Sequence, residues 1–206
     1  DCLLSRGLGD VYKRQAQSRT EISIPEVQQQ LLAAVIATGT PVVVLLSTGR
    51  ALALEGPVLA CASILVSWFL GSEASAAVAD ILFGTRAPSG RLPVSFPHAA
   101  GQVPYFYAHT SSGRPNPQPD VLEPYKTHYR TVPNTALFPF GHGLTYGRIE
   151  YGELRLSDTR MTATGSLRIS ARIHNRGTRD AEEVAQLYIR DRSASVTRPV
   201  RELKDF

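Results

Sequence analysis

The feature that most constrains this chain is a pair of short, almost wholly apolar runs, residues 42–46 (Val-Val-Val-Leu-Leu) and 63–68 (Ser-Ile-Leu-Val-Ser-Trp), set among segments of helical period. Runs this short and apolar are what a parallel sheet covered on both faces requires of its strands. Upstream, Pro25 stands at a first helical position, and Val27, Leu31, Leu32, Val35 and Ile36 recur at helical spacing up to Gly39. Between the runs, residues 57–60 read as a short helical or turn segment. Beyond them, residues 73–83 read as a helix with Ala77, Val78, Ile81 and Leu82 on one side, stopped by Gly84. Strands alternating with helices predict an α/β fold: a mainly parallel sheet flanked by helices over residues 20 to 98.

After a Pro-Ser-Gly-Arg turn at 88–91 and the segment 92–96, the character changes. Residues 99–136 are rich in proline, carry Tyr105, Phe106, Tyr107, Tyr125 and Tyr129, and have little periodicity. That combination predicts a long ordered connection packed on something else, because a disordered segment would be poor in aromatics. From Arg148 the period becomes two, through Ile149 and Tyr151, then Leu154 and Leu156, then Leu167, Ile169, Ala171 and Ile173, then residues 184–189, with a turn at 175–178. This pattern predicts antiparallel strands in a separate layer, a β-sandwich begun but not completed.

Composition narrows the function classes. The formal charge of +4 is spread along 206 residues without a run of like charges, so a nucleic-acid footprint is not indicated. The longest apolar stretches, 41–46 and 61–70, fall short of the ~20 residues that span a bilayer, so no membrane partner is expected. Cys2 and Cys61 cannot make a disulfide framework or a four-ligand metal site, and Cys61 reads as a buried, inert thiol. Nothing in the sequence calls for a cofactor or a metal. A chain that opens on Asp1 and closes on a strongly patterned Phe206 is expected to be cut at both ends. Residues 1–15 lack periodicity and resemble translated adapter sequence; the expectation is a non-native or flexible segment.

Several separate segments carry a resemblance. Gly71-Ser72-Glu73 followed by Ala79-Asp80-Ile81-Leu82-Phe83-Gly84, and then Pro88-Ser89-Gly90-Arg91-Leu92-Pro93-Val94-Ser95-Phe96-Pro97, resemble the second-domain signature of family 3 glycoside hydrolases of the β-glucosidase type. Pro139-Phe140-Gly141-His142-Gly143-Leu144-Thr145-Tyr146 resembles that family's exit from the domain. Residues 184–189 with 198–206 are similar to its fibronectin type III-like domain. The resemblance runs over about residues 16–206 and implies a non-native 1–15, a truncated α/β domain over 16–146 and a truncated fibronectin type III-like domain over 147–206. Most of the quoted residues read as architectural: Gly84, Gly90, Gly141 and Gly143 as turn or cap positions, His142 as a packed loop histidine, Trp68 as a core aromatic.

Members of such a family are retaining enzymes, in which one carboxyl attacks the anomeric carbon and a second protonates the leaving oxygen and then activates water. The resemblance implies that the nucleophile, an Asp, comes from an N-terminal barrel to which nothing in these residues corresponds. It also implies that the acid/base is a Glu three residues before a Ser-Arg pair. Here that pair is Ser18-Arg19, so the acid/base position falls at Gln15, whose amide can neither donate a proton and take it back nor act as a base. Arg19 is read either as orienting this loop through a carboxylate or as a solvated arginine. Glu55, Glu73, Asp80 and Glu123 read as caps and surface charges.

The resemblance therefore implies a piece of an exo-acting β-glycosidase, periplasmic or secreted, inactive alone, with a β-glycoside or oligosaccharide as substrate and the missing barrel as partner. The alternative is a non-catalytic carbohydrate-binding or assembly module. A nucleotide-binding α/β domain would need a glycine fingerprint after its first strand, which is lacking.

Overall fold

The computed structural model describes residues 20–162 and 164–206. Helix α1 spans Glu26–Ile36, with Pro25 as its N-cap rather than its first helical residue. Since proline has no N–H to leave unsatisfied, its carbonyl begins the ladder by accepting from the amides of Gln28 and Gln29. The apolar stripe expected to face inward does not do so: Val27 is 76% exposed and Leu31 66%, and no residue of the helix is buried. The inward side is instead Gln29, Leu32 and Ile36, half-buried at spacings of three and four. Gln29 donates from Nε2 to the Ile24 carbonyl (2.7 Å), and Leu32 packs on the core.

Strands β1 (Val43–Leu46) and β2 (Ser63–Val66) pair in parallel, in the register Val43 with Ser63 through Leu46 with Val66. Between them lies a 3₁₀ turn, Gly56–Ala60, with Pro57 in its first turn and Val58 fully buried. Because side chains alternate along a strand, Val44, Leu46, Ile64 and Val66 share one face and enter the core with Ile24, Leu54, Val58 and Phe96. Burial of each large member contributes roughly 1.5–3 kcal/mol. The other face is uncovered: Val43 and Leu45 are exposed. Among the described residues, then, the sheet is covered on one side and is two strands wide, where the sequence predicted strands covered on both. Cys61, expected to be buried, is half-buried beside the Pro57 carbonyl.

Helix α2 (Ala74–Leu82) comes next, and then the chain turns back to run antiparallel against 137–142. The ladder's backbone hydrogen bonds lie at its two ends, Leu92 N–H to the His142 carbonyl (2.8 Å) and Phe96 N–H to the Phe138 carbonyl (2.8 Å), and Pro93 is tolerated because its position faces away from the partner segment. In the gap, the buried Ser95 hydroxyl accepts from the Phe140 amide (2.9 Å).

The connection 99–136 was expected to pack through its aromatics; here Tyr105 and Tyr107 pack on this chain, while Phe106, Tyr125 and Tyr129 stay exposed. A short 3₁₀ turn, Ala100–Gln102, buries Gln102, which accepts from the His98 amide and donates to the Pro133 carbonyl. Tyr107 stacks on Phe140, with centroids 4.1 Å apart, and meets Tyr188 edge-on.

The strands of residues 148–206 pair antiparallel. Strand β3 (Ile149–Tyr151) pairs with β6 (Ile173–Asn175), and β4 (Arg155–Leu156) with β5 (Ile169–Ser170), forming one interrupted ribbon; β7 (Leu187–Ile189) pairs with β8 (Glu202–Asp205) across a bulge. The separate layer expected here is fastened to the rest at several points. Thr110 bridges Pro199, Val200 N–H donates to the His109 carbonyl, and Gln186 Nε2 donates to the Gly141 carbonyl (3.0 Å).

Candidate functional site

Gln15, at which the resemblance puts the family's acid/base position without its Glu, and Ser18 and Arg19 of the same loop lie outside the described residues. The chain immediately after them is tied to the α/β core: Ser23 forms a parallel bridge with Ala53, and Ala53 N–H donates to the Ile22 carbonyl (3.0 Å). That edge places the downstream flank of the Ser18-Arg19 pair beside the segment leaving β1.

In open α/β sheets ligands sit outside the carboxyl ends of the strands. Here those ends carry Ser47, Thr48 and Arg50 after β1, and Ser67 and Trp68 after β2. Ser67 donates from its amide and hydroxyl to the Leu46 carbonyl, and Ser47 Oγ donates to the Trp68 carbonyl (3.1 Å), which joins the two exits. The buried Thr48 hydroxyl donates to the Arg50 carbonyl. Trp68 adopts a left-handed φ of 53°, uncommon outside glycine, and its half-buried ring tilts against Phe96 at 6.0 Å. These five side chains are three hydroxyls, a guanidinium and an aromatic, and each hydroxyl donates to a backbone carbonyl of the same two strand ends.

A second polar constellation lies where the α/β and antiparallel parts meet. A cleft of about 310 Å³ is lined by Arg91, Gly141, His142, Gly143, Tyr151 and Glu183, among others. Arg91 pairs with Glu183 at 2.5 Å, with only 12% and 16% of the two side chains exposed, and Tyr151 donates to the other oxygen of the same carboxylate (2.7 Å). Burial, then the hydrogen bond and charge of Glu183, push the Tyr151 hydroxyl up to about 12. Burial, then the neighbouring Arg91, hold the His142 imidazole below its usual range, and its ring stacks on Phe138. A carboxylate committed to a guanidinium and a phenol orients the two parts of the fold; it is not free to shuttle protons. Sequence reasoning missed this cluster. Arg91 stood inside a turn motif and Glu183 92 positions later, and no periodicity links them.

The remaining carboxylates stay close to their bland reading. Glu55 and Glu73 stand at N-caps, but neither side chain makes a capping bond, and Asp80 lies 4.0 Å from Arg86 in an exposed pair. Gly84 and Gly141 have positive φ, as turn positions should. Gly90 and Gly143 do not; Gly143 is required for space, since a Cβ there would overlap the Gly90 carbonyl. Among the described residues no group of three His, Cys, Asp or Glu could hold a metal, and no helix is long and apolar enough to cross a membrane.

Residues 5–146 match the glycosyl hydrolase family 3 C-terminal domain, a match that begins within the segment expected to be non-native, and residues 183–206 match a fibronectin type III-like domain. A periplasmic beta-glucosidase of Salmonella typhimurium is 42% identical over 93% of this chain and 25% of its own length. A beta-xylosidase of Formosa agariphila is 38% identical over 91% of this chain and 25% of its own. The crystal structure of a beta-glucosidase from Listeria innocua in complex with glucose superposes with a TM-score of 0.82 at 38% identity, over 89% of this chain and 25% of that one. A mutant of the Listeria enzyme, solved with laminaribiose, superposes equally well, again at 0.82 and 38% identity over 89% and 25%. The chain therefore spans about a quarter of the length of the relatives it matches.

Proposed function

The chain belongs to glycosyl hydrolase family 3, and from that membership we propose that it is part of an exo-acting, retaining β-glycosidase that removes a terminal sugar from β-glycosides outside the cytoplasm. The observation that carries this reading is the agreement of sequence and fold over nearly the whole described chain with a sugar-binding β-glucosidase. The Salmonella relative, periplasmic by name, supports the location.

In this reading the described residues build the wall of a site rather than its reacting groups. Retaining hydrolysis needs two carboxyl groups about 5–5.5 Å apart, one attacking the anomeric carbon and the other first giving its proton to the departing oxygen and then taking one from water. The acid/base position is Gln15, whose amide supplies neither half of that exchange. The nucleophile belongs to the part of the parent protein that these 206 residues do not span. The strand-end rim of Ser47, Thr48, Arg50 and Trp68 then flanks the sugar, and the Arg91–Glu183 pair holds the fibronectin-like part in place.

The test is hydrolysis of an aryl β-glucoside by three polypeptides: the chain as it stands, its Gln15→Glu variant, and residues 16–206 with Glu at position 15 joined to the upstream part of the parent gene. Only the third is expected to turn over, with retention of configuration. Turnover by either of the first two above a heat-killed control would sink the reading, because the nucleophile would then lie within these residues.

A further inference from the structure

The fibronectin-like part holds the α/β part through a strap. Residues 180–186 belong to neither helix nor strand, and side chains in and beside them grip three separate loops. Arg179 lies against Gly84, where a Cβ would come within 2.6 Å of its Nη1, and its guanidinium carbon sits 5.5 Å from the Tyr146 ring centroid. Glu183 accepts from Arg91, and Gln186 donates from Nε2 to the Gly141 carbonyl (3.0 Å). Both sides of this seam come from the present chain. One superposition on the Listeria enzyme spans 89% of the chain, both parts together, at a TM-score of 0.82, so their relative placement is shared with a far longer relative.

His142 stands between two of these grips. It follows Gly141 in the chain, its carbonyl accepts from the Leu92 amide next to Arg91, and it lines the cleft with Arg91, Tyr151 and Glu183. Its ring stacks on Phe138 at 5.2 Å. The charged groups that face it come from two elements: Arg91 from the 88–91 turn and Glu183 from the strap, which neutralise each other. Tyr151, from β3, donates its proton to the second oxygen of the same carboxylate. With His142 neutral, the groups lining the cleft sum to no net charge. A proton on the imidazole adds a positive charge beside a guanidinium whose Nη1 is already buried without a hydrogen-bond partner among the described residues. The carboxylate that could compensate is already held by two donors. Like charges in such a site repel more strongly than in water.

We propose that the seam is an acid-sensitive latch, in which a proton on His142 loosens the grip of residues 179–186 on the α/β part. The titration of the imidazole runs in the same direction. Burial, then Arg91, hold its folded pKa below the usual 6.5, so the closed seam refuses a proton that an opened seam accepts. The hold is fully present above pH 6.5 and is lost as pH falls from there toward the folded value. The latch involves no glycosidic chemistry, so it stands or falls apart from the hydrolysis reading.

The experiment follows hydrogen exchange of the 206-residue chain at about pH 7.5 and about pH 5.5, corrected for the intrinsic rate at each, at about 1 μM to stay below self-association. From the higher pH to the lower, protection of peptides spanning residues 180–189 is expected to fall about threefold or more, while that of residues 43–66 stays level. In His142→Phe, which keeps a ring on Phe138 without the titrating nitrogen, and in His142→Gln, the strap should be equally protected at both pH values. The proposal is overturned if wild-type protection of 180–189 does not depend on pH, or if it falls no more than that of 43–66. It is overturned equally if the neutral variants lose protection as the wild type does, because the proton would then act elsewhere in the seam. The wild-type comparison decides by itself should neither variant fold.

Discussion

Arg91 and Glu183 show how far a single pair can decide the arrangement of a fold. Both side chains are mostly out of water, and among the described residues each is the other's ion-pair partner in the cleft. Arg91→Leu leaves the Glu183 carboxylate desolvated with only a phenol beside it. The expected loss is about 3 kcal/mol or more in urea unfolding. Replacing both residues with leucine should recover part of that loss, since the uncompensated charge goes too. An equal loss in the double variant would show that packing and not charge carries the effect. Tyr151 reports on the same cluster through pH. Its folded pKa of about 12 lies above the unfolded value of 10.0, so the folded state keeps a proton that the unfolded chain releases. The stability this contributes is fully present below pH 10 and is lost as pH climbs through 12. A Tyr151→Phe chain should therefore show a flatter alkaline limb of unfolding free energy than the wild type, and identical limbs would remove Tyr151 from the account.

At the scale of elements, what the sequence made legible was whatever depended on period alone. The two parallel strands, both helices and the antiparallel character after Arg148 stand where alternation and helical spacing put them. Which side of α1 faces inward was not legible. Leu31 and Leu32 are both apolar and about 100° apart around a helix, so periodicity admits either stripe, and the choice was made by contacts of Leu32 with residues distant in sequence. The four glycines show the same limit. A sequence marks a glycine but cannot separate a need for positive φ from a need for space. Gly143→Ala must displace the Gly90 carbonyl or the Arg91 side chain and should cost about 1–3 kcal/mol. Gly90→Ala meets nothing within 4 Å at a backbone conformation open to alanine and should stay within about 0.5 kcal/mol. Thermal melts of the two variants decide it, and equal losses would refute the spatial argument. The proposed acid/base position was read only through family resemblance, because a Gln three residues before a Ser-Arg pair has no physical signature of its own.

The whole molecule is short of buried surface. It exposes 15,484 Å², whereas a compact protein of 22.4 kDa exposes about 9,400 Å². Relative to an extended chain it buries about half of its surface, where proteins of this size bury about 70%. Crediting residues 1–19 with the full area of an extended segment, about 3,000 Å², still leaves an excess of several thousand Å². That excess is the size of an obligate interface. Its apolar part includes the open sheet face of Val43 and Leu45 and the outer stripe of α1, Val27, Leu31 and Val35. In the proposed parent enzyme these surfaces meet the remaining three quarters of the polypeptide; in the isolated chain only other copies are at hand. The chain alone should therefore self-associate at about 10–100 μM, the range in which exposed apolar surface and short unpaired strands drive aggregation. Light scattering on a size-exclusion column would report it. Leu45→Lys and Leu31→Lys place charges on two of the uncovered surfaces without touching the core, so they should shift the population toward monomer while leaving the melting of the α/β part unchanged. A wild-type chain that runs as a monodisperse monomer across that range would mean that the exposed faces do not bind, and that the missing surface is not what completes this fold.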